Sequence, residues 1–210
     1  MIEPNEHDHF VLRQRVKLVI NQYEISVPVP GGEPGTPAGD GEPFCFVEQA
    51  RFKFKEDIRF FADDSKQHEL LRILARQRFD PRARYDVTGS GGEPIGQIQK
   101  VFGASLLRSQ YTLYDAAGAE AATIRERSLP VALLRRLVGF VPYIGNYADW
   151  LPIPYDFEIL RGEELVGMHR RRRWQWRDIY DLDLSADSGR VLDRRLVLAA
   201  AVGLDALQAR

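Results

Sequence analysis

Residues 168–184 read MHRRRRWQWRDIYDLDL. Arg170, Arg171, Arg172 and Arg173 run directly into Trp174 and Trp176, and a cluster of aspartates follows. Guanidinium groups fork onto phosphate oxygens, and indole rings favour the boundary between water and lipid. The strip therefore has the chemistry of an anionic phospholipid contact. The same residue types serve single-stranded nucleic acid, through phosphate contacts and stacking on tryptophan. A second basic pair, Arg135 and Arg136, sits among Leu133, Leu134, Leu137 and Phe140, a composition suited to a helix resting on a membrane surface. The net charge of the whole chain is only −1, so any phosphate affinity must come from a local patch. That near-neutrality argues against a nucleic-acid binder. Arginine also greatly outnumbers lysine throughout, which lowers the information in any one arginine run.

Other chemistries fit less well. In TGSGG (88–92), Gly89 and Gly91 lack the third glycine of a dinucleotide fingerprint, since Pro94 stands in its place, and a strand pattern follows instead of a helix. Ser90 lacks the context of a nucleophile elbow. His7 and His9 flank Asp8 in what reads as a solvated tail, and His68 and His169 have no partner at metal-ligand spacing. No catalytic residue, cofactor or metal site is expected. A single cysteine, Cys45, lies between Phe44 and Phe46 and reads as a packing residue; with no disulfide available, a reducing cytoplasmic setting is the simpler expectation. The first ten residues have no basic segment leading into an apolar run, so no signal peptide is expected.

The elements that must position these residues are mostly strands. In 10–20, Phe10, Leu12, Val16, Leu18 and Ile20 alternate with Arg13, Arg15 and Lys17; in 50–55, Ala50, Phe52 and Phe54 alternate with Arg51, Lys53 and Lys55. A period of two with one apolar face describes half-buried antiparallel strands. Segment 69–76 reads as a further strand. Segments 85–100, 111–127 and 155–171 share one outline: tyrosine, an extended stretch, a glycine turn and a strand ending in basic residues. Repeated hairpins of this kind point to a large antiparallel barrel or sandwich. Residues 28–43 are dense in proline and glycine and read as a mobile loop. A helix is expected over 130–141, and a second begins after Asp193 and ends the chain. The middle of that last helix, Ala199 to Gly203, is small and apolar on every side, so it should be buried all round. Neither 128–148, broken by Arg135, Arg136 and Pro142, nor 196–204 reaches the roughly 18 to 20 apolar residues of a membrane span.

The hairpins, the RRRRWQWRDIYDLDL strip and the terminal LVLAAAVGLDAL helix together resemble the tubby C-terminal-like superfamily, in particular the LURP-one-related proteins and their phospholipid scramblase relatives. The resemblance covers roughly residues 9–208, and Trp174, Asp178, Tyr180, Asp193 and Leu204-Asp205 carry its most specific part. It implies a single domain over 1–210, mainly β: a closed antiparallel barrel of about twelve strands around a buried C-terminal helix at 193–207, with a helical insertion over 128–150. Tubby domains bind phosphoinositide headgroups, so a lipid role is implied as well. The scramblase branch raises calcium, but DLDLSADSGRVL (181–192) has Ala186 and Leu192 where a calcium loop needs glycine and glutamate, and it reads as a strand with a solvated acidic face. The expected function is a non-catalytic binding or scaffold barrel, docking to anionic phospholipid headgroups or a protein partner and peripheral to a membrane. The alternatives are a nucleic-acid-binding barrel and an unrecognised enzyme.

Overall fold

The computed structural model describes residues 2–16, 21–49, 57–75, 84–101, 109–127, 156–172 and 178–208. Twelve strands follow in chain order: β1 (His9–Val16), β2 (Asn21–Ser26), β3 (Pro43–Gln49), β4 (Asp57–Phe61), β5 (Glu69–Ala75), β6 (Arg84–Gly89), β7 (Pro94–Lys100), β8 (Gln110–Asp115), β9 (Glu120–Glu126), β10 (Asp156–Arg161), β11 (Glu164–Arg171) and β12 (Ile179–Asp183). Each pairs antiparallel with its chain neighbours, and β1 pairs with β12 through Phe10↔Leu182 and Leu12↔Tyr180. The sheet is therefore a closed barrel, which removes every free edge.

Alternation sets the two faces. Phe10 and Leu12 on β1, Tyr23 and Ile25 on β2 and Ile58 and Phe60 on β4 belong to the buried core. Their sequence neighbours point outward and form cross-strand ion pairs such as Arg15–Glu24 and Arg72–Asp57. The three tyrosine hairpins are β6–β7, β8–β9 and β10–β11, as their shared outline predicts. At the second of these, Gly118 has φ +84, a left-handed conformation that a side chain would strain.

The helix α2 (Arg194–Gln208) fills the barrel. Leu196, Val197, Leu198, Val202 and Leu204 are all buried, at roughly 1.5–3 kcal/mol each in removed apolar surface. The walls come in close around it. A Cβ at Gly96 of β7 would meet the Leu196 side chain at 2.9 Å and the Tyr114 carbonyl oxygen at 2.3 Å. Ala199, Ala200 and Ala201 supply the complementary small surface on the helix. Asp193 caps the helix as expected, its carboxylate accepting from the Arg195 N–H at 2.9 Å. Asn5, in a 3-10 turn at Pro4–Glu6, accepts from the Arg194 N–H at 2.8 Å.

Because the strands run up and down, their connections alternate between two mouths. The helix enters through one of them. The same mouth carries the N-terminal turn, the connection 27–42, the hairpins at 62–68, 90–93, 116–119 and 162–163, and the link 184–193. The described strand ends on either side of the other six connections lie at the opposite mouth. Segments 17–20, 50–56, 76–83, 102–108, 128–155 and 173–177 lie outside the described residues, and with them the helical insertion expected near 130–150 and the strand expected at 50–55.

Candidate anion-binding surface

The arginine run begins on β11, where side chains alternate between faces. Arg170 points out and is exposed, close enough to Asp183 on β12 that its charge helps hold that carboxyl below the ordinary range. Arg171 pairs in register with inward-facing Tyr180 and is ion-paired with Asp178. Arg172 follows the strand and is only 14% exposed at its side chain. It donates to both oxygens of Asp40 at 2.9 Å and to Asp181 at 2.6–3.0 Å. Asp181 foremost, and then Asp40, raise the Arg172 pKa against the opposing effect of burial. Two of the three described arginines in the run are therefore already neutralised by fixed carboxylates.

Asp40 is the residue that spacing did not reveal. It closes a one-turn helix, α1 (Pro37–Asp40), capped by the Thr36 hydroxyl, within the proline- and glycine-rich connection 27–42. Its carboxylate is 3% exposed and accepts from Arg13 of β1 at 3.0 Å, from Arg172 and from the Gly35 N–H at 3.0 Å. Burial works to raise its pKa but is outweighed by the Gly35 N–H and the two guanidiniums, so Asp40 stays ionised below the usual carboxylate range. The segment that reads as a mobile loop is thus a strap held to the outer wall through Asp40. Between strap and wall lies a groove of about 300 Å³, lined by His9, Val29, Pro34, Asp40, Arg170 and Arg172 among others. The one sequence signal for this arrangement is the TPAGD pattern of a capped helical turn.

A second charged cluster closes the mouth where the helix enters. Arg194 is fully buried and donates to Asp8 at 2.9 Å, to the Leu192 carbonyl at 2.9 Å and to Asp187. Asp187 is 1% exposed and also accepts from the Leu192 N–H and from Arg161, each at 3.0 Å. One expectation is corrected here. Asp8 does not sit in a solvated tail, because the buried Arg194 guanidinium draws on both Asp8 and Asp187 for compensation, whereas Asp181 and Asp183 of β12 present the partly exposed acidic face that the alternation predicts.

His169 lies inside the wall. It is buried, neither ring nitrogen has a hydrogen-bond partner, and it stacks on Tyr180 with centroids 5.0 Å apart at 12°. Burial pushes its pKa down to about 4. No group of three or more histidine, cysteine or acidic residues that could hold a metal ion occurs among the described residues.

The remaining candidate residues, Arg173, Trp174, Trp176, Arg135 and Arg136, lie outside the described residues. In chain order they fall between β9 and β10 and between β11 and β12, strands that are neighbours in the wall. No helix among the described residues is long and apolar enough to cross a membrane. A family model described as LURP-one-related matches residues 45–205. No curated protein matches the chain.

Proposed function

Since the chain belongs to the LURP-one-related family, we propose that it is a non-catalytic binding barrel that docks on an anionic phospholipid surface. The observation that supports this reading is the chemistry of the two candidate segments together with the strand order. Arg135 and Arg136 with their leucines, and Arg173 with Trp174 and Trp176, fall in chain order between β9 and β10 and between β11 and β12, strands that are neighbours in the wall. Guanidiniums suit phosphate and indoles suit the membrane interface. Arg170 adds an exposed cation on the adjoining wall. Arg171 and Arg172 have a different role: they hold the wall and the strap, and contribute little free charge.

The test is co-sedimentation with phosphatidylserine vesicles and with phosphatidylcholine vesicles over a salt series. Binding to the first alone, weakening as salt screens it, is the expected result. Absence of binding to anionic vesicles at low salt would refute docking and leave a scaffold barrel whose arginines serve only its wall.

A further inference from the structure

The groove between the strap and the wall lies on the outside of the barrel, and strand register sets its floor. Phe10, Leu12, Tyr180 and Leu182 point into the core, so the residues between them point out. Two outward rows result. His9 stands beside Asp183 and Asp183 beside Met168; Val11 stands beside Asp181 and Asp181 beside Arg170. Val29 and Pro34 from the strap, with Val11 and Met168 from the wall, make the apolar part of the lining. Val11 is only 2% exposed although it faces outward, whereas Val29 is left half open to solvent. The strap is stiff as well as tethered. The Val29 N–H donates to the Gly39 carbonyl and the Gly32 N–H to the Val29 carbonyl, each at 2.9 Å. A Cβ on Gly39 would meet the Glu33 carbonyl oxygen at 2.0 Å. A loop packed this closely on itself belongs to the compact kind that carries function, and the groove beneath it is formed before any ligand arrives.

Most of the charge around the groove is already engaged. Arg172 is held by Asp40 and Asp181, and Asp40 by Arg172, Arg13 and the Gly35 N–H. Two groups are not. The Arg170 guanidinium has no ion pair or hydrogen bond among the described residues, and it acts on Asp183 only at longer range. Asp183 turns Oδ1 to the Ser185 N–H at 2.9 Å and the Ser185 hydroxyl at 2.7 Å, with His9 Nδ1 at 3.5 Å. Its Oδ2 has no partner among the described residues. The two residues are diagonal neighbours across β11 and β12, about 7 Å apart at Cβ.

From these residues we infer that the groove binds a free α-amino acid with an apolar side chain. The ligand carboxylate lies on the Arg170 guanidinium, its ammonium on Asp183, and its side chain against Val11, Val29, Pro34 and Met168. Such a ligand brings one charge of each sign to a site with one open charge of each sign, so no charge is covered without compensation. A phosphate or a dicarboxylate would set its second charge against Asp181 and Asp183. Size selects as well. A cavity of about 300 Å³ is at the small end of ligand sites and holds about ten waters, which suits one amino acid and not a peptide. The site needs no membrane, so it is independent of the docking reading.

The test is saturation-transfer NMR on the full chain with L-leucine, L-methionine and L-phenylalanine at about 10 mM, enough to fill a site of millimolar affinity. At least one of the three should receive saturation, most strongly on its side chain. Glycine, which lacks the side chain, should receive little, and so should the N-acetyl and amide derivatives of the bound amino acid, each of which lacks one charge. Arg170→Met keeps the apolar stem and should weaken binding at least about tenfold, the loss of one charge-assisted hydrogen bond. Asp183→Asn keeps an acceptor for Ser185 and should have the same effect, which serves if the first variant fails to fold. Silence from all three amino acids overturns the site, as does a folded Arg170→Met or Asp183→Asn protein that binds like the parent. Equal saturation of the N-acetyl or amide derivative shows that the paired charges are not read, and overturns it too.

Discussion

Two aspartates, Asp40 and Asp187, each hold a pair of arginines, yet they do so in different surroundings. Asp40 lies on the outer wall, where Arg13 and Arg172 remain partly open to water. Asp187 and Arg194 meet where neither side chain touches solvent. The same chemistry therefore has different consequences. On the wall, water can replace a lost partner, so the pair fixes the position of a strap. In the plug, nothing replaces it, so the pair determines whether the helix can stay in the barrel.

The largest expected effect comes from breaking the plug. Arg194→Met leaves Asp187 buried without its buried cation, beside Arg161 and the Leu192 N–H, and should cost about 3–5 kcal/mol in urea denaturation. Asp187→Asn, which keeps the shape, should cost less; an equal loss would mean that packing and not charge is the issue. Next comes Asp40→Ala, expected to lower global stability by about 1 kcal/mol while making 27–42 markedly more sensitive to limited proteolysis. If proteolysis is unchanged, the strap does not depend on the Asp40 pair.

Acid sharpens the contrast through its two windows. His169 is held down to about 4 from 6.5, so the unfolded chain takes up its proton first. Stability due to its burial is lost as pH falls from 6.5 toward 4, by up to about 3 kcal/mol, and His169→Phe should flatten that limb. Asp40 and Asp187 are both held below 3.8, so what they contribute is present above that value and is lost only as pH falls further. The smallest expected effect on folding is that of Arg170→Glu. It should leave the melting temperature in place and weaken binding to anionic vesicles, whereas Arg172→Glu should disturb the strap as well.

How far these features were legible depended on the distance along the chain that each one spans. The hairpins could be read because tyrosine, extended backbone and a turn glycine fall within a few residues of one another. Closure could not be read from them, since a period of two is the same in a sandwich and in a barrel. It is the pairing of Phe10 with Leu182 that decides. The site followed the same rule. Arg170 to Arg173 are visible as a run, but one of the two carboxylates that neutralise Arg172 is Asp40, 132 positions away, and one of the two that neutralise Arg194 is Asp8, 186 positions away.

The seam between β1 and β12 also orders events in time. A ribosome delivers β1 before the other strands of the barrel, β12 after them, and α2 after both. Until β12 and α2 are synthesised, the growing sheet has an unmatched first strand and no filling for its interior. A nascent chain stopped before residue 179 should therefore present adhesive margins and a hollow apolar face, the substrate that chaperones recognise. Completion of the barrel is tied to β12 and α2, which close it and fill it.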